Sequence, residues 1–101
     1  MSEQKAQKKI LDWLKAEGYY VFKTITCNRS GIPDIIGCTP EGRFFAIEVK
    51  YGKGKASRLQ EYNIQQIKKV NGIAFVAYDL DTVKLSLDAY RSESLPRSRT
   101  S

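Results

Sequence analysis

The stretch GIPDIIGCTPEGRFFAIEVK, residues 31–50, decides the fold because it joins two β-type runs through a turn. Residues 32–38 and residues 43–51 are rich in apolar and β-branched side chains, and residues 39–42 supply a proline and a glycine for the turn. This pattern predicts a β-hairpin, although charged side chains interrupt both of its strands.

Three charged side chains lie in this hairpin at positions where core strands normally carry none. The period of two places Glu48 and Lys50 on one face of the second strand, and Asp34 lies in the apolar run of the first. A buried carboxylate without a partner costs several kcal/mol, and two carboxylates on paired strands also repel each other. A shared cation such as Mg²⁺ would keep both charged, and Lys50 beside it would face an anion such as a phosphate. The hairpin therefore predicts half of a metal site.

The order of residues in the hairpin resembles the motif of a known nuclease superfamily. PD at residues 33–34, followed on the next strand by EVK at residues 48–50, is similar to the PD-(D/E)XK motif. The GIPD turn and the small size of the chain look most like the VRR-NUC branch, as found in stand-alone phage-type nucleases, over about residues 3–78. The resemblance implies a single-domain α/β fold, the restriction-endonuclease-like core, in the order αβββαβ with a mixed central sheet flanked by helices.

The same resemblance implies the chemistry of the site and the residues that perform it. It implies hydrolysis of phosphodiester bonds in DNA with Mg²⁺ as the cofactor, for which Mn²⁺ could substitute. Asp34, Glu48 and the backbone carbonyl of Val49 would hold one or two ions. Lys50 would position the attacking water and stabilise the charge that develops at the phosphate. In similar nucleases a glutamate at the place of Glu3 often joins the metal site.

Glu3 and Gln60 each have a structural and a functional interpretation. Glu3 lies in the first turn of a predicted helix, where a carboxylate complements the helix dipole. Helical projection nevertheless aligns it with the apolar stripe of Ile10 and Leu14. Ser57 and Gln60 fit a capping box, whereas in VRR-NUC-like nucleases a glutamine in this helix lies near the active site, where it could orient water or phosphate. Both interpretations stay open for both residues.

The composition limits the chain to one domain and removes several kinds of chemistry. Its 101 residues allow one modest core, and a net charge of +6 favours an anionic partner, with nucleic acid ahead of a membrane. The absence of histidine excludes Ser-His-Asp triads, histidine zinc sites and HNH-type nucleases. Polar first residues predict a cytoplasmic protein, in the host cell if it is phage-encoded, with Cys27 and Cys38 as reduced thiols.

The segment over residues 79–90 fits two periodicities. Val83, Leu85 and Leu87 alternate as in a strand, but the apolar residues also repeat at helical spacing after Asp81, and we favour a helix capped by that aspartate. Upstream the sequence predicts, in chain order, a helix over residues 2–17, a strand over 19–25, the hairpin, a helix over 57–70 and a strand parallel to its neighbour over 73–78.

The predicted partner is DNA, and branched DNA in particular. This preference rests on the resemblance and on the size of the chain, which leaves no additional domain for reading bases. Similar resolvases and restriction enzymes act as dimers, so a homodimer is expected, with no membrane and no small-molecule cofactor. The nuclease domain is predicted over residues 1–91 and a flexible basic tail over residues 92–101. The predicted DNA contacts are Lys5, Lys8, Arg29, Ser30, Lys53, Lys55 and Arg58.

The sequence leaves other functions open. One is a module with a nuclease fold that holds branched or single-stranded DNA without cutting it. Another is a structural or partner-binding domain in which Glu48 and Lys50 form a buried ion pair, although this leaves Asp34 unexplained. A third is an endonuclease that acts on duplex DNA, either nonspecifically or at a recognition sequence. RNA also stays open as a substrate.

Overall fold

The computed structural model describes residues 2–93 and forms an α/β domain from three helices and four strands. The element order confirms the predicted fold, with one helix added after the last strand. The strands are shorter than the predicted β-type runs, because residues at the ends of those runs lie outside the sheet. The elements are α1 (Glu3–Ala16), β1 (Tyr20–Lys23), β2 (Ile35–Cys38), β3 (Phe44–Val49), α2 (Arg58–Lys69), β4 (Ile73–Ala77) and α3 (Leu80–Arg91).

The sheet has the order β1-β2-β3-β4. β1 pairs antiparallel with β2, and β2 pairs antiparallel with β3. β4 is parallel to β3, as predicted from the helix that connects them. β1 and β4 are therefore its edges. A close approach joins β1 to β2, because a Cβ on Gly37 would lie 1.9 Å from the carbonyl oxygen of Tyr20. Only glycine fits at that position.

Helices cover the two faces of the sheet unequally. α1 and α3 pack together on one face, where Ile10 and Leu87 meet Phe45 and Ile47 in the larger core. α2 lies on the other face, in a smaller cluster around Ile64. The alternation of β3 thus directs its large apolar side chains toward α1 and α3, and directs Glu48 toward α2.

The undecided segment after β4 is a helix, as favoured. Val83 and Leu87 are buried at helical spacing, whereas Leu85, which a strand would have placed beside them, is 72% exposed. The predicted cap was wrong. Asp79 caps α3 by accepting a hydrogen bond at Oδ1 from the N–H of Thr82 at 2.7 Å, and Asp81 lies in the first turn instead. Aspartate is a favourable N-cap residue at both positions, and the residue at which β4 ends determines that Asp79 is the cap.

The predicted basic tail lies outside the described residues from residue 94 onward. Within the described part of the chain, no helix combines the length and the apolar character that crossing a bilayer requires.

Candidate active site

Asp34 and Glu48 face each other at the end of the β2–β3 hairpin that lies away from its turn. The register pairs Ile35 with Ile47, and one further step along both strands places Asp34 opposite Glu48 on the face that α2 covers. The N–H of Val49 donates to Asp34 Oδ2 at 3.0 Å, which fixes the orientation of that carboxylate. The hairpin thus brings the two predicted acids together as the sequence indicated.

Glu48 is buried, and within the described part of the chain only one of its two carboxylate oxygens has partners. The residue is 1% exposed. Its Oε2 accepts a hydrogen bond from Gln60 Nε2 at 2.9 Å and lies 3.2 Å from Lys50 Nζ. Its Oε1 is buried and has no hydrogen-bond partner among residues 2–93. Since buried acceptors are nearly always satisfied in native proteins, Oε1 is the atom of the site best suited to bind a cation.

The environment of Glu48 disfavours its charged form. Burial, and secondarily the charge of Asp34, raise the pKa of Glu48 to about 7, against the attraction of Lys50. A divalent cation between the carboxylates would favour the ionised form of both. Mg²⁺ usually binds through one or two carboxylates together with water and phosphate oxygens, so two acids are enough. The donor set therefore fits such an ion.

Gln60 forms the predicted capping box and also lies beside Glu48, and its role in orienting water or phosphate stays a prediction. Its Oε1 accepts from the N–H of Ser57 at 2.8 Å, and Ser57 Oγ accepts from the N–H of Gln60 at 3.2 Å, which completes the capping box of α2. Its Nε2 donates to Glu48. One amide therefore ties the start of α2 to the carboxylate and fixes the direction of both.

Glu3 does not join the carboxylate pair. It is exposed in the first turn of α1, and α1 packs on the face of the sheet opposite to Glu48. Among residues 2–93, no three or more His, Cys, Asp or Glu side chains form a group that could hold a metal ion. Metal binding by Glu3 thus stays a prediction, as does the role of the Val49 carbonyl.

The seven residues predicted to contact DNA are all exposed. Lys8 is already engaged, because its Nζ lies 2.8 Å from Asp12 Oδ2 one turn further along α1. The basic loop between Lys50 and α2 is anchored at its middle, where the hydroxyl of Tyr78 donates to the carbonyl of Gly54 at 2.7 Å. This contact holds the loop beside the carboxylate pair while its lysine side chains extend into solvent.

Sequence analysis missed two residues that support the site. The N–H of Thr24 donates to the carbonyl of Asp34 at 2.8 Å, and its Oγ1 donates to that of Pro33 at 2.8 Å. Asn63 Nδ2 donates to the carbonyl of Ser30 at 3.1 Å, so α2 holds the loop that leads to Asp34. A polar residue on the buried stripe of α2 was a usable signal for Asn63. A threonine at a strand end carried none.

A mixed sheet with Asp34 directly before β2, Glu48 in β3 and Lys50 directly after β3 is the arrangement that defines nucleases of the PD-(D/E)XK type. The model of the VRR-NUC domain family matches residues 1–79. The chain therefore belongs to the VRR-NUC family, which makes it a nuclease domain that acts on DNA.

Solved structures agree with this assignment. One, described as a VRR_NUC domain, is 27% identical, with a TM-score of 0.75 over 87% of this chain and 96% of that chain. Another, described as a VRR_NUC domain protein, is 22% identical and shows the same fold, with a TM-score of 0.72 over 89% of this chain and 88% of that one. No curated protein matches the sequence.

Proposed function

We propose that this chain is a Mg²⁺-dependent endonuclease that acts as a homodimer on four-way junctions or other branched DNA. The observation that supports the metal dependence is the buried Oε1 of Glu48, opposite Asp34, which has no hydrogen-bond partner among the residues that the structure describes. The preference for branched DNA is supported by the small size of the domain, since residues 2–93 form one α/β unit without a separate module for reading bases. Mn²⁺ is expected to substitute for Mg²⁺.

Each side chain of the site has its own role in phosphodiester hydrolysis. A divalent cation supplies Lewis acidity, which lowers the pKa of a water and neutralises charge on the phosphate. Asp34 and Glu48 would hold it, with the carbonyl of Val49 as a further oxygen. Lys50 is 18% exposed at its side chain and can reach a phosphate from beside Glu48. It orients the attacking water and stabilises the negative charge of the transition state.

Gln60 positions Glu48, and the basic loop provides charge for the DNA around this centre. Gln60 keeps Glu48 Oε2 in place, and Oε1 would then be the oxygen that binds the cation. Lys53 and Lys55 in the anchored loop, with Arg58 at the start of α2, provide exposed cations for the DNA backbone next to the site. Arg29 extends this positive surface from the loop before Asp34.

The test is cleavage of labelled linear duplex, flap and four-way-junction DNA in Mg²⁺, Mn²⁺ or EDTA. We expect symmetric nicking of the junction by the wild type, none in EDTA, and none by Lys50→Ala. Lys15→Ala, which removes an exposed lysine from the last turn of α1, serves as the matched control and should cut like the wild type. Equal cutting by Lys50→Ala would refute the assigned site, and equal cutting of all three substrates would refute the preference for branches.

A structural domain is the second candidate, because the Glu48–Lys50 ion pair that it requires is present at 3.2 Å. The two functions differ in their response to metal. If the pair serves only the fold, Mg²⁺ leaves the melting temperature unchanged. If the carboxylates bind the cation, Mg²⁺ raises the melting temperature of the wild type but not that of Asp34→Asn.

A further inference from the structure

A cavity of about 240 Å³ lies at the same end of the sheet as the carboxylate pair, but on the opposite face. It is formed by α1, by the segment that follows β3 and by the junction between β4 and α3, and the side chains that line it include Lys9, Tyr51, Tyr78, Asp79 and Asp81. α1 and α3 cover the face of the sheet opposite to Glu48. The cavity and the candidate active site are therefore two separate features of one sheet end.

The cavity is close enough to the carboxylate pair for one DNA strand to reach both. The N–H of Lys50 donates to the carbonyl of Ala77 at 3.0 Å, so the pairing of the two strands continues to the residue directly before Tyr51. The chain from Glu48 to Tyr51 spans at most about 11 Å when it is extended. Neighbouring nucleotides in a duplex strand are about 3.4 Å apart, so a nucleotide within about three positions of the cut phosphate can lie at the cavity.

The size and the walls of the cavity suit one planar ring system. Its volume lies below the roughly 300–1,000 Å³ of sites for drug-sized ligands, and far above the roughly 30 Å³ that one water occupies in the liquid. Tyr51 and Tyr78 are 48% and 43% exposed, so part of each ring is accessible to a ligand. The hydroxyl of Tyr78 donates to the carbonyl of Gly54 at 2.7 Å, which holds this ring in place. Tyrosine rings are surfaces on which nucleobases stack.

The charges of the cavity favour a base over a phosphate. Asp79 and Asp81 are exposed at the start of α3. Hydrogen bonds from Thr82 hold the pKa of Asp79 below its ordinary value, so this carboxylate is ionised at neutral pH. Ionised carboxylates repel phosphate and only accept hydrogen bonds. They suit the exocyclic amino group of cytosine, adenine or guanine, whereas thymine has no such group. Lys9, exposed on α1, provides a cation for the phosphate of the same nucleotide.

We propose that this cavity binds one unstacked nucleobase of the strand that is cut, and that it selects a base with an exocyclic amino group over thymine. The inference deepens the proposed function, on which it rests for the branched substrate. Bases at a branch point are incompletely stacked, so little energy is needed to move one of them out of the helix. The domain would then read one base near the cut without a separate module for base recognition.

The first test is the rate at which the wild type cuts branched DNA of varied sequence in Mg²⁺. Each of about three positions on either side of the cut carries in turn cytosine, adenine, thymine or an abasic site. We expect one position at which thymine or the abasic site slows cutting about tenfold relative to cytosine. Equal rates for all four substrates at every position would overturn the proposal.

Variants of the cavity test which side chains read the base, with folding checked by thermal melting. The double variant Asp79→Asn/Asp81→Asn should lose the discrimination against thymine, because an amide both donates and accepts, while asparagine still caps a helix. Tyr51→Ala should slow cutting of the cytosine substrate about tenfold, and Tyr51→Phe, which keeps the ring, should not. The matched controls are Asp88→Asn near the end of α3 and Tyr20→Ala at the turn end of the sheet. Discrimination that survives the double variant, or an unchanged rate in Tyr51→Ala, would overturn the proposal.

Binding without metal separates this proposal from the proposed function. In EDTA at neutral pH, fluorescence anisotropy should show that labelled oligo-dC binds the wild type more tightly than oligo-dT of the same length, and that the double variant binds both equally. Equal affinities in the wild type would overturn the base site whether or not the protein cuts DNA. A preference for oligo-dC in a protein that cuts no DNA in Mg²⁺ or Mn²⁺ would retain the base site and overturn the enzyme. Junction cutting that depends on Lys50 but on no base would do the reverse.

Discussion

The two ends of the β2–β3 hairpin treat polar side chains in opposite ways. At the turn, Arg43 donates from Nε to the carbonyl of Asn71 at 2.8 Å and from Nη1 to that of Tyr90 at 3.0 Å. At the other end, Glu48 keeps a buried oxygen without a partner among the described residues and has a raised pKa. The polar group at the turn is thus satisfied inside the chain, whereas at the other end one carboxylate oxygen is left to bind a group outside it.

The largest effect is expected from removing the carboxylates at the open end. Asp34→Asn and Glu48→Gln should each lower the rate of DNA cleavage by about 10²–10³ or more, the loss typical of a group that stabilises the transition state. Both preserve shape, so DNA binding measured in EDTA should change little. Single-turnover cleavage in Mg²⁺ is the measurement. Activity within a few-fold of the wild type in either variant would contradict the site.

The next effect is on stability, at the turn end. Arg43→Met leaves the carbonyl of Asn71 without its side-chain donor and removes one of the donors to the carbonyl of Tyr90, which still accepts from the N–H of Glu93. An unsatisfied buried acceptor costs about 1–3 kcal/mol, and both contacts here are half-buried. In a domain of this size each kcal/mol lowers the melting temperature by roughly 4–8 °C. We therefore expect a loss of roughly 4–8 °C or more by calorimetry.

The control for this variant is Arg29→Met, which changes an exposed arginine and should melt like the wild type. Arg43→Met should still cut DNA at low temperature, because it leaves the carboxylate pair untouched. Lost cleavage in a folded Arg43→Met protein would break the distinction between the two ends of the hairpin.

A third effect follows from the pKa of Glu48, raised by burial from 4.5 to about 7. A folded state that binds the proton more tightly than the unfolded chain loses stability as the pH rises through this window. Without metal, the wild type should therefore lose on the order of 2–3 kcal/mol relative to Glu48→Gln between pH 4.5 and pH 7. Melting curves of both proteins at several pH values measure this difference, and Mg²⁺ should reduce it. Parallel curves would show that Glu48 is not the group responsible.

The sequence predicted the open end of the hairpin better than the turn end, for a physical reason. Alternation along β3 and the turn residues are local, and they suffice to bring Asp34 opposite Glu48. The partner of Arg43 at Tyr90 lies 47 residues away on a helix that the sequence left undecided. Periodicity aligned Glu3 with the core stripe of α1. In the structure the buried stripe does not extend to Glu3, which is exposed in the first turn.

The smallest effect is expected from an exposed ion pair at the turn end of the hairpin, which Arg91 forms with Glu41. Arg91 donates to Glu41 and, at 2.9 Å, to the hydroxyl of Tyr19. The hydrogen bond from Arg91 lowers the pKa of Glu41, so the pair contributes to stability above that pKa and loses its contribution as the pH falls. Glu41 is exposed, and water and salt screen such pairs strongly.

Glu41→Gln should consequently lower the melting temperature by no more than a few degrees at neutral pH and low salt, and the difference should vanish at high salt. Arg91 keeps its contact with Tyr19 in this variant, so the end of α3 stays attached. A loss as large as that of Arg43→Met would mean that exposure does not separate the strong from the weak contacts of the turn. A small loss of melting temperature, with cleavage unchanged, would show that Arg43 contributes more to the stability of the turn end than the surface pair does.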